Sequence, residues 1–478
     1  MSDKIDFNDI QEGVYDATKL GKGRMFVLGL QHMFAMFGAT VLVPVLTGLS
    51  VSATLLCAGL GTLLFFFITQ RKVPAFLGSS FAFIAGYAAI APNGEPELLP
   101  YACIGVCAAG LLYLILAACF KVFGAKRVMR FFPPVVTGPI VICIGLILAG
   151  SAISNCMTCW PIAIIAVVVI IIVNIWGKGM VKIVPILIGV VVSYVAAACI
   201  GIVDWSGVVD AAWIGLPIVG QNTVFGTISN FNAGLAMTAI ITIMPLAIAT
   251  MVEHIGDISA ISSTCDRNFI ADPGLHRTLL GDGLATILAS LLGAPANTTY
   301  GENTGVLALT KVYDPRVIVI AACCAIVFSF CPKFAAIIGA MPSSVIGGVS
   351  LVLYGMISGV GIRNLVESHA DLTKMRNVLV VALILVLSLG INYTGDGALV
   401  FTANFSLSGL AVGSLVGIFL NAILPGKDFV FDEGNPANND GGYGGLQAKR
   451  LSMDPAGLTK AEACGEAEPA EEAEKATE

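Results

Sequence analysis

The chain has 478 residues, of which 57% are apolar and 12% charged, and its mean hydropathy is +0.90. Soluble domains carry about 25% charged residues, so the composition excludes a soluble globular protein and predicts a polytopic membrane protein. The net charge of -6 comes largely from glutamates after Ala461, which predicts a disordered, solvated tail. The N-terminus lacks the charge pattern and apolar run of a cleaved signal peptide.

A membrane-spanning helix needs about 20 apolar residues, and fourteen segments of the chain are candidates. In chain order they cover residues 24–49, 51–69, 74–91, 100–122, 132–153, 159–176, 182–203, 233–260, 276–293, 295–311, 315–338, 342–361, 376–393 and 399–424. The third and the tenth are short and interrupted by polar residues. The prediction is an all-α protein in which these two segments contain brief extended stretches.

The placement of basic residues tests the count of segments independently of hydropathy. With a cytoplasmic N-terminus, fourteen crossings put twenty-four of the twenty-five Lys and Arg residues on the cytoplasmic side, and Lys333 is the exception. This bias is what the positive-inside rule requires. It predicts a multi-pass protein of the cytoplasmic membrane with both termini in the cytoplasm.

Internal matches indicate that the chain consists of two halves. The matching pairs occur in the same order along the chain: Gly59–Leu64 with Gly283–Leu288, Pro74 with Pro295, and Pro133 with Pro342. Each half then holds seven segments, and because seven is odd the second half enters the membrane the other way up. Such an inverted repeat is typical of secondary transporters.

The repeat also predicts where the binding site lies. Broken segments in matching positions of two inverted halves indicate a site near the membrane midplane, where half-helix N-termini present free N–H groups. The third and tenth segments form this pair. Superposing Pro74 on Pro295 sets Ser79 against Tyr300, Ser80 against Gly301 and Phe81 against Glu302.

Three acidic residues are candidates for the chemistry of this site. Glu302 lies in the tenth segment, and Glu253 and Asp257 are four residues apart in the eighth, on one helix face. An ionisable residue at membrane depth is a functional-site hypothesis by default. The alternatives are that the eighth helix ends near Met251, so that its acids face the cytoplasm, and that Glu302 is a first-turn acid favoured by the helix dipole.

Several motifs resemble those of the nucleobase–ascorbate transporter family (nucleobase:cation symporter-2), in particular its bacterial uracil permease branch. They are Gln31-His32, Leu77-Gly78-Ser79-Ser80-Phe81, Glu253-His254-Ile255-Gly256, and Glu302-Asn303-Thr304-Gly305 followed by Thr310-Lys311. The similarity covers nearly all of residues 24–424. The resemblance implies a proton-coupled symporter, often dimeric, with two inverted repeats of seven helices.

The resemblance also implies a division into domains. A core domain would comprise residues 24–130 and 233–340, and a gate domain residues 131–232 and 341–424. Residues 1–23 and 425–478 would be cytoplasmic tails. The protein is then a transporter and not an enzyme, with protons as coupling ion, no cofactor, no metal and no nucleic-acid partner.

Carried over by motif, the family's site falls on a small set of residues. The expected substrate-binding residues are Phe81, Glu253, Gly301 and Glu302. The expected supporting or proton-coupling residues are Gln31, His32, Ser80, Glu253, His254, Asp257, Tyr300 and Asn303.

One position departs from the uracil branch. Uracil permeases generally have His where this chain has Asp257, and Asp at that place resembles the xanthine and urate branch. Glu302 instead favours the uracil branch, since purine members usually have Gln there. The sequence therefore favours uracil and leaves a purine base open. An anion carrier of the same fold is a weaker alternative, because the candidate residues are acids. Asp282 is either a structural acid or part of a gate.

Overall fold

The computed structural model describes residues 13–178, 181–182, 184–368, 370–394, 397–402, 405–426 and 429. The predicted acidic tail, apart from a few residues at its start, lies outside this part of the chain. The described residues are mostly helical, as the composition predicts.

In the described residues of the first half there are eight α-helices and a short strand. The helices are α1 (Lys22–Thr47), α2 (Val51–Ile68), α3 (Ile84–Ile90), α4 (Leu99–Phe123), α5 (Ala125–Met129), α6 (Pro134–Cys156), α7 (Trp160–Trp176) and α8 (Pro185–Cys199). Strand β1 (Leu77–Ser79) leads into a 3-10 turn (Phe81–Phe83) that continues as α3.

The second half repeats this kind of order after a long connection, in which the short helix α9 lies. Its helices are α9 (Ser206–Asp210), α10 (Ala233–Ile243), α11 (Ala247–Thr264), α12 (Leu275–Leu291), α13 (Gly301–Thr310), α14 (Pro315–Ser329), α15 (Pro332–Gly339), α16 (Ser343–Glu367), α17 (Met375–Asn392) and α18 (Gly409–Ile423). Strand β2 (Asn297–Thr299) precedes α13, and a hairpin of β3 (Ala398–Thr402) and β4 (Phe405–Ser408) precedes α18.

Each of the fourteen predicted segments contains a helix. Within the described residues, seven helices are long and apolar enough to cross a membrane, or eight if α14 and α15, bent by 86°, form one span. One detail differs from the prediction, and one agrees with the kink that Pro245 predicts. The last segment begins as the β3–β4 hairpin rather than as helix, because the β-branched and aromatic run Val400–Thr402 favours a strand. The eighth is interrupted by a 3-10 turn at Met244–Leu246, where Pro245 removes a helix hydrogen bond.

The predicted extended stretches in the third and tenth segments are confirmed. β1 and β2 pair antiparallel, with Leu77 opposite Thr299 and Ser79 opposite Asn297. All six of their residues are buried. The N-caps of the helical turns that follow are Ser80 and Tyr300. The structure thus matches Ser80 with Tyr300, whereas the superposition of the two prolines matched Ser80 with Gly301, one residue later.

The helices pack in a reciprocal pattern. Helix α2 packs on α14 while α4 packs on α12, and α1 packs on α14 while α10 packs on α4. Likewise α7 packs on α8 and α17 on α18, and the long helices α6 and α16 pack against each other. Glycines allow the last contact, since a Cβ on Gly145 would collide with the backbone carbonyl of Tyr354, and small residues bring membrane helices close together.

Two buried threonines hold the strands in place. The Thr62 hydroxyl accepts a hydrogen bond from the Leu77 N–H at 2.9 Å and lies 3.3 Å from the Leu77 carbonyl oxygen. The Thr286 hydroxyl donates to the Asn297 carbonyl at 2.7 Å. Thus α2 holds the start of β1, and α12 holds the start of β2.

We therefore expect Thr62→Val to destabilise the protein. The change leaves the buried Leu77 N–H without its acceptor, which costs about 1–3 kcal/mol. The matched control is Thr238→Val, because the Thr238 hydroxyl donates to a carbonyl of its own helix at an exposed position. Chemical unfolding in detergent measures both variants. Equal losses of unfolding free energy in the two variants would show that the Thr62–Leu77 hydrogen bond does not stabilise the protein more than an exposed one.

Candidate functional site

The pairing of β1 with β2 brings two helix N-termini together inside the protein. Beyond the paired strands the Ser80 N–H donates to the Ala296 carbonyl at 2.8 Å, and the chain then enters the turn that begins at Phe81. On the other strand, α13 begins at Gly301. Neither N-cap side chain, of Ser80 or of Tyr300, accepts a hydrogen bond from its helix in the described structure. First-turn N–H groups and the positive ends of helix dipoles are the kind of groups that bind polar ligands, so these two termini are candidates for a binding site.

An aromatic surface lies beside these N–H groups. The Phe81 ring is buried and makes an edge-to-face contact with Tyr354 of α16, with centroids 5.9 Å apart. This pairing is favourable for aromatic rings. Tyr354 was absent from the residues predicted from sequence, because it directly follows the apolar run Leu351–Leu353.

Tyr300 holds the two broken segments together. Its hydroxyl donates to the Ser79 carbonyl at 2.8 Å and lies 3.3 Å from the Ser79 hydroxyl, which in turn donates to the Thr40 carbonyl at 2.8 Å. The predicted supporting residue thus links β1, α13 and α1.

Asn303 makes a second link between the broken segments. Its amide donates to the Pro74 carbonyl at 2.8 Å, and its side-chain oxygen lies 2.8 Å from Nδ1 of His32 on α1. Both side chains are fully buried. His32 and Asn303, both predicted as supporting residues, therefore lie together, and they fix the segment before β1 relative to α13.

The acids of the eighth segment lie inside the helix. Helix α11 continues to Thr264, so the alternative in which it ends near Met251 is wrong. Asp257 is buried, accepts a hydrogen bond from the Thr299 hydroxyl at 3.0 Å, and has Oδ1 3.1 Å from where a Cβ of Gly301 would be. Glu253, partly buried, lies one turn earlier on the same face. This face of α11 is therefore directed to the β2–α13 junction.

A buried His–Asp pair lies behind this face. Nδ1 of His254 is 2.9 Å from Oδ2 of Asp282 on α12, and both side chains have no exposed surface. The Thr299 hydroxyl lies 3.3 Å from the same His254 nitrogen. The structure thus joins Asp282, which sequence reasoning left ambiguous, to a predicted supporting residue.

The remaining predicted residues fall in the same region. Gln31 is buried on α1 beside His32, and Ser80 is buried at the strand end. Glu302 is the second residue of α13, but its side chain lies outside the part of the structure that is described. The region therefore combines helix-terminal N–H donors, acidic acceptors on α11 and an aromatic face.

Comparisons with known proteins agree with this geometry. Residues 23–396 match the profile of a group described as a permease family. The chain is 41% identical over 414 residues to the uracil permease of Bacillus caldolyticus, covering 85% of this chain and 93% of that protein. It is 38% identical over 408 residues to the uracil permease of Escherichia coli strain K12, covering 83% and 90%.

Solved structures share the fold. The transmembrane domain of the cyanobacterial bicarbonate transporter BicA matches with a TM-score of 0.57 at 14% identity, covering 86% of this chain and 99% of that one. The structure of SLC26A9 matches with a TM-score of 0.61 at 14% identity, covering 86% and 66%. At this identity the likeness concerns the fold alone. The extent and identity of the sequence matches, in contrast, show that this multi-pass membrane protein belongs to the permease family that includes the bacterial uracil permeases.

Proposed function

We propose that the protein is a proton-coupled symporter that imports a nucleobase, in first place uracil, across the cytoplasmic membrane by alternating access. The observation that carries this proposal is the match to proteins named uracil permease at 38–41% identity over more than four fifths of the chain.

The site's chemistry supports a planar, neutral base. Uracil has two N–H donors, two carbonyl acceptors and two flat faces. Acidic side chains accept from its N–H groups, the N–H groups at the starts of the Phe81 turn and of α13 donate to its carbonyls, and the Phe81 ring covers one face. A simple anion would instead need net positive charge, and acids such as Asp257 oppose it.

Glu253 is the proposed proton carrier. It lies within a membrane-spanning helix, partly buried, with Asp257 one turn away on the same face. An acid at such depth is expensive to keep ionised, which favours its taking up a proton. Proton and base would then share one pocket.

Alternating access is proposed to follow from two inverted repeats. The reciprocal packing of α2 on α14 and α4 on α12 supports this, as do the threonine anchors Thr62 and Thr286 at matching places. In this proposal the core of residues 24–130 and 233–340 moves against the gate of residues 131–232 and 341–424, and the Phe81–Tyr354 contact crosses the boundary. Both termini are proposed to be cytoplasmic, and the resemblance favours a homodimer.

A purine base, xanthine or urate, is the second candidate. The observation that favours it is Asp257, which is buried against Thr299 at the position where the sequence resembles the purine branch.

Glu253→Gln should abolish accumulation of uracil driven by a proton gradient, because the amide keeps the size of the side chain but cannot titrate. Uptake of labelled uracil into proteoliposomes, with and without an inward proton gradient, measures this. Glu97→Gln, at an exposed loop position, is the matched control. A Glu253→Gln variant that still accumulates uracil with unchanged pH dependence would exclude Glu253 as the carrier.

Glu302→Gln should weaken uracil binding far more than binding of a purine base. Weakening a hydrogen bond to a charged group costs about 1.5–3 kcal/mol, which is roughly tenfold to more than a hundredfold in affinity. Competition of labelled uracil by unlabelled uracil and xanthine, in wild type and variant, tests this. An equal loss of affinity for both bases would show that Glu302 stabilises the fold and does not select the base. Tight xanthine binding by the wild type would favour the second candidate.

A further inference from the structure

Residues 13–20, named here the N-terminal strap, pack against the protein before α1 begins. Val14 forms a parallel bridge with Val312: its N–H donates to the Lys311 carbonyl at 2.8 Å, and its carbonyl accepts from the Tyr313 N–H at 2.8 Å. The strap then turns through a 3-10 helix, Ala17–Leu20, before α1 starts. It therefore pairs with the short linker between α13 and α14.

Tyr15 extends the contacts of the strap to the end of α11. Its hydroxyl donates to the Cys265 carbonyl at 2.8 Å, at the C-cap of α11. Its ring packs on Tyr313 with centroids 5.4 Å apart, and the Arg267 guanidinium lies 4.2 Å above it. One side chain thus contacts both the end of α11 and the α13–α14 linker.

A charged cluster fixes the strap to the start of α14. The Ala17 N–H donates to the buried Asp314 carboxylate at 2.7 Å, and Arg316 donates to Asp314 and to Asp16, each at 2.6 Å. Hydrogen bonds from Thr18 and Arg316 hold the pKa of Asp16 below its ordinary value, so it remains ionised at neutral pH.

The underside of the strap is apolar. Its residues Val14, Ala17 and Leu20 are buried in a cluster with residues of α1, the linker and α14, namely Leu28, Val312 and Val317. Backbone pairing, an ion cluster and apolar burial together make the strap an ordered part of the protein rather than a loose tail.

The elements held by the strap are those that carry the proposed acids. Helix α13 bears Glu302 at its start and ends at Thr310, with Lys311 as its C-cap, and because it has ten residues it is only about 15 Å long. Helix α11 bears Glu253 and ends at Thr264, with Cys265 as its C-cap. A displacement at the C-terminal end of either helix would therefore also move the acid that the helix carries.

We propose that the N-terminal strap is a positioning element that holds the ends of α11 and α13 together and so keeps the two proposed binding acids in register. Tyr15 is its main positioning residue. The proposal rests on the proposed function only for its effect on uracil binding, since its effect on helix order needs no ligand.

The first test compares Tyr15→Phe with Tyr393→Phe. Both remove a tyrosine hydroxyl that donates to a backbone carbonyl, in the second case that of Leu146 at 3.0 Å, far from the strap. Because one net hydrogen bond is worth about a fivefold change in equilibrium, amide hydrogen exchange in residues 301–310 should be about fivefold faster in Tyr15→Phe. Uracil affinity should weaken severalfold, while the melting temperature stays near that of the wild type. Tyr393→Phe should change neither exchange in α13 nor affinity.

The second test uses deletions from the 478-residue chain. Removing residues 2–12 leaves the strap and should preserve both readouts, whereas removing residues 2–20 should give a larger change than Tyr15→Phe. Unchanged exchange in residues 301–310 in Tyr15→Phe and in the longer deletion would overturn the proposal, as would equal acceleration throughout the protein. If uracil binds to no form, the proposed function fails, and hydrogen exchange still decides the role of the strap.

Discussion

The structure depends on the antiparallel pairing of β1 with β2. Lipid provides no hydrogen-bond partners, so extended backbone at membrane depth must find partners within the protein. Leu77–Ser79 and Asn297–Thr299 satisfy one another, and the hydroxyls of Thr62 and Thr286 contact backbone groups at the start of each strand. Because both strands are only three residues long, the helical turns that follow them begin inside the protein. The N–H groups at the starts of these turns are the proposed donors of the candidate site.

The polar side chains around the site divide into two groups. Tyr300, Asn303 and His32 contact Ser79, Pro74 and one another in the described structure, and their positions suit a role in holding the broken segments. Asp257 of α11 accepts a hydrogen bond from Thr299 at the end of β2, which places an acid and the start of α13 at the same junction. The contact of Phe81 with Tyr354 then connects the site to α16, the element against which it would open and close.

Much of this was predictable because membrane constraints act on short, local patterns. Apolar length predicted the helices, and polar interruptions after Pro74 and Pro295 predicted the extended stretches. The partners of individual side chains were not predictable, since they depend on packing between distant elements. Asp282 meets His254 across two helices, and Tyr354 meets Phe81 from another part of the chain. The order of residues 13–20 was also missed, because a short polar segment resembles a tail until the linker that it pairs with is known.

The central claim is that the base binds between the two half-helix N-termini. A cryo-EM structure of the protein with uracil tests it most directly. The account predicts density for the base against the Phe81 ring, with its carbonyls at the N–H groups that begin the Phe81 turn and α13 and its N–H groups at the acids of α11 and α13. Density for uracil elsewhere, with this junction occupied by side chains, would contradict it.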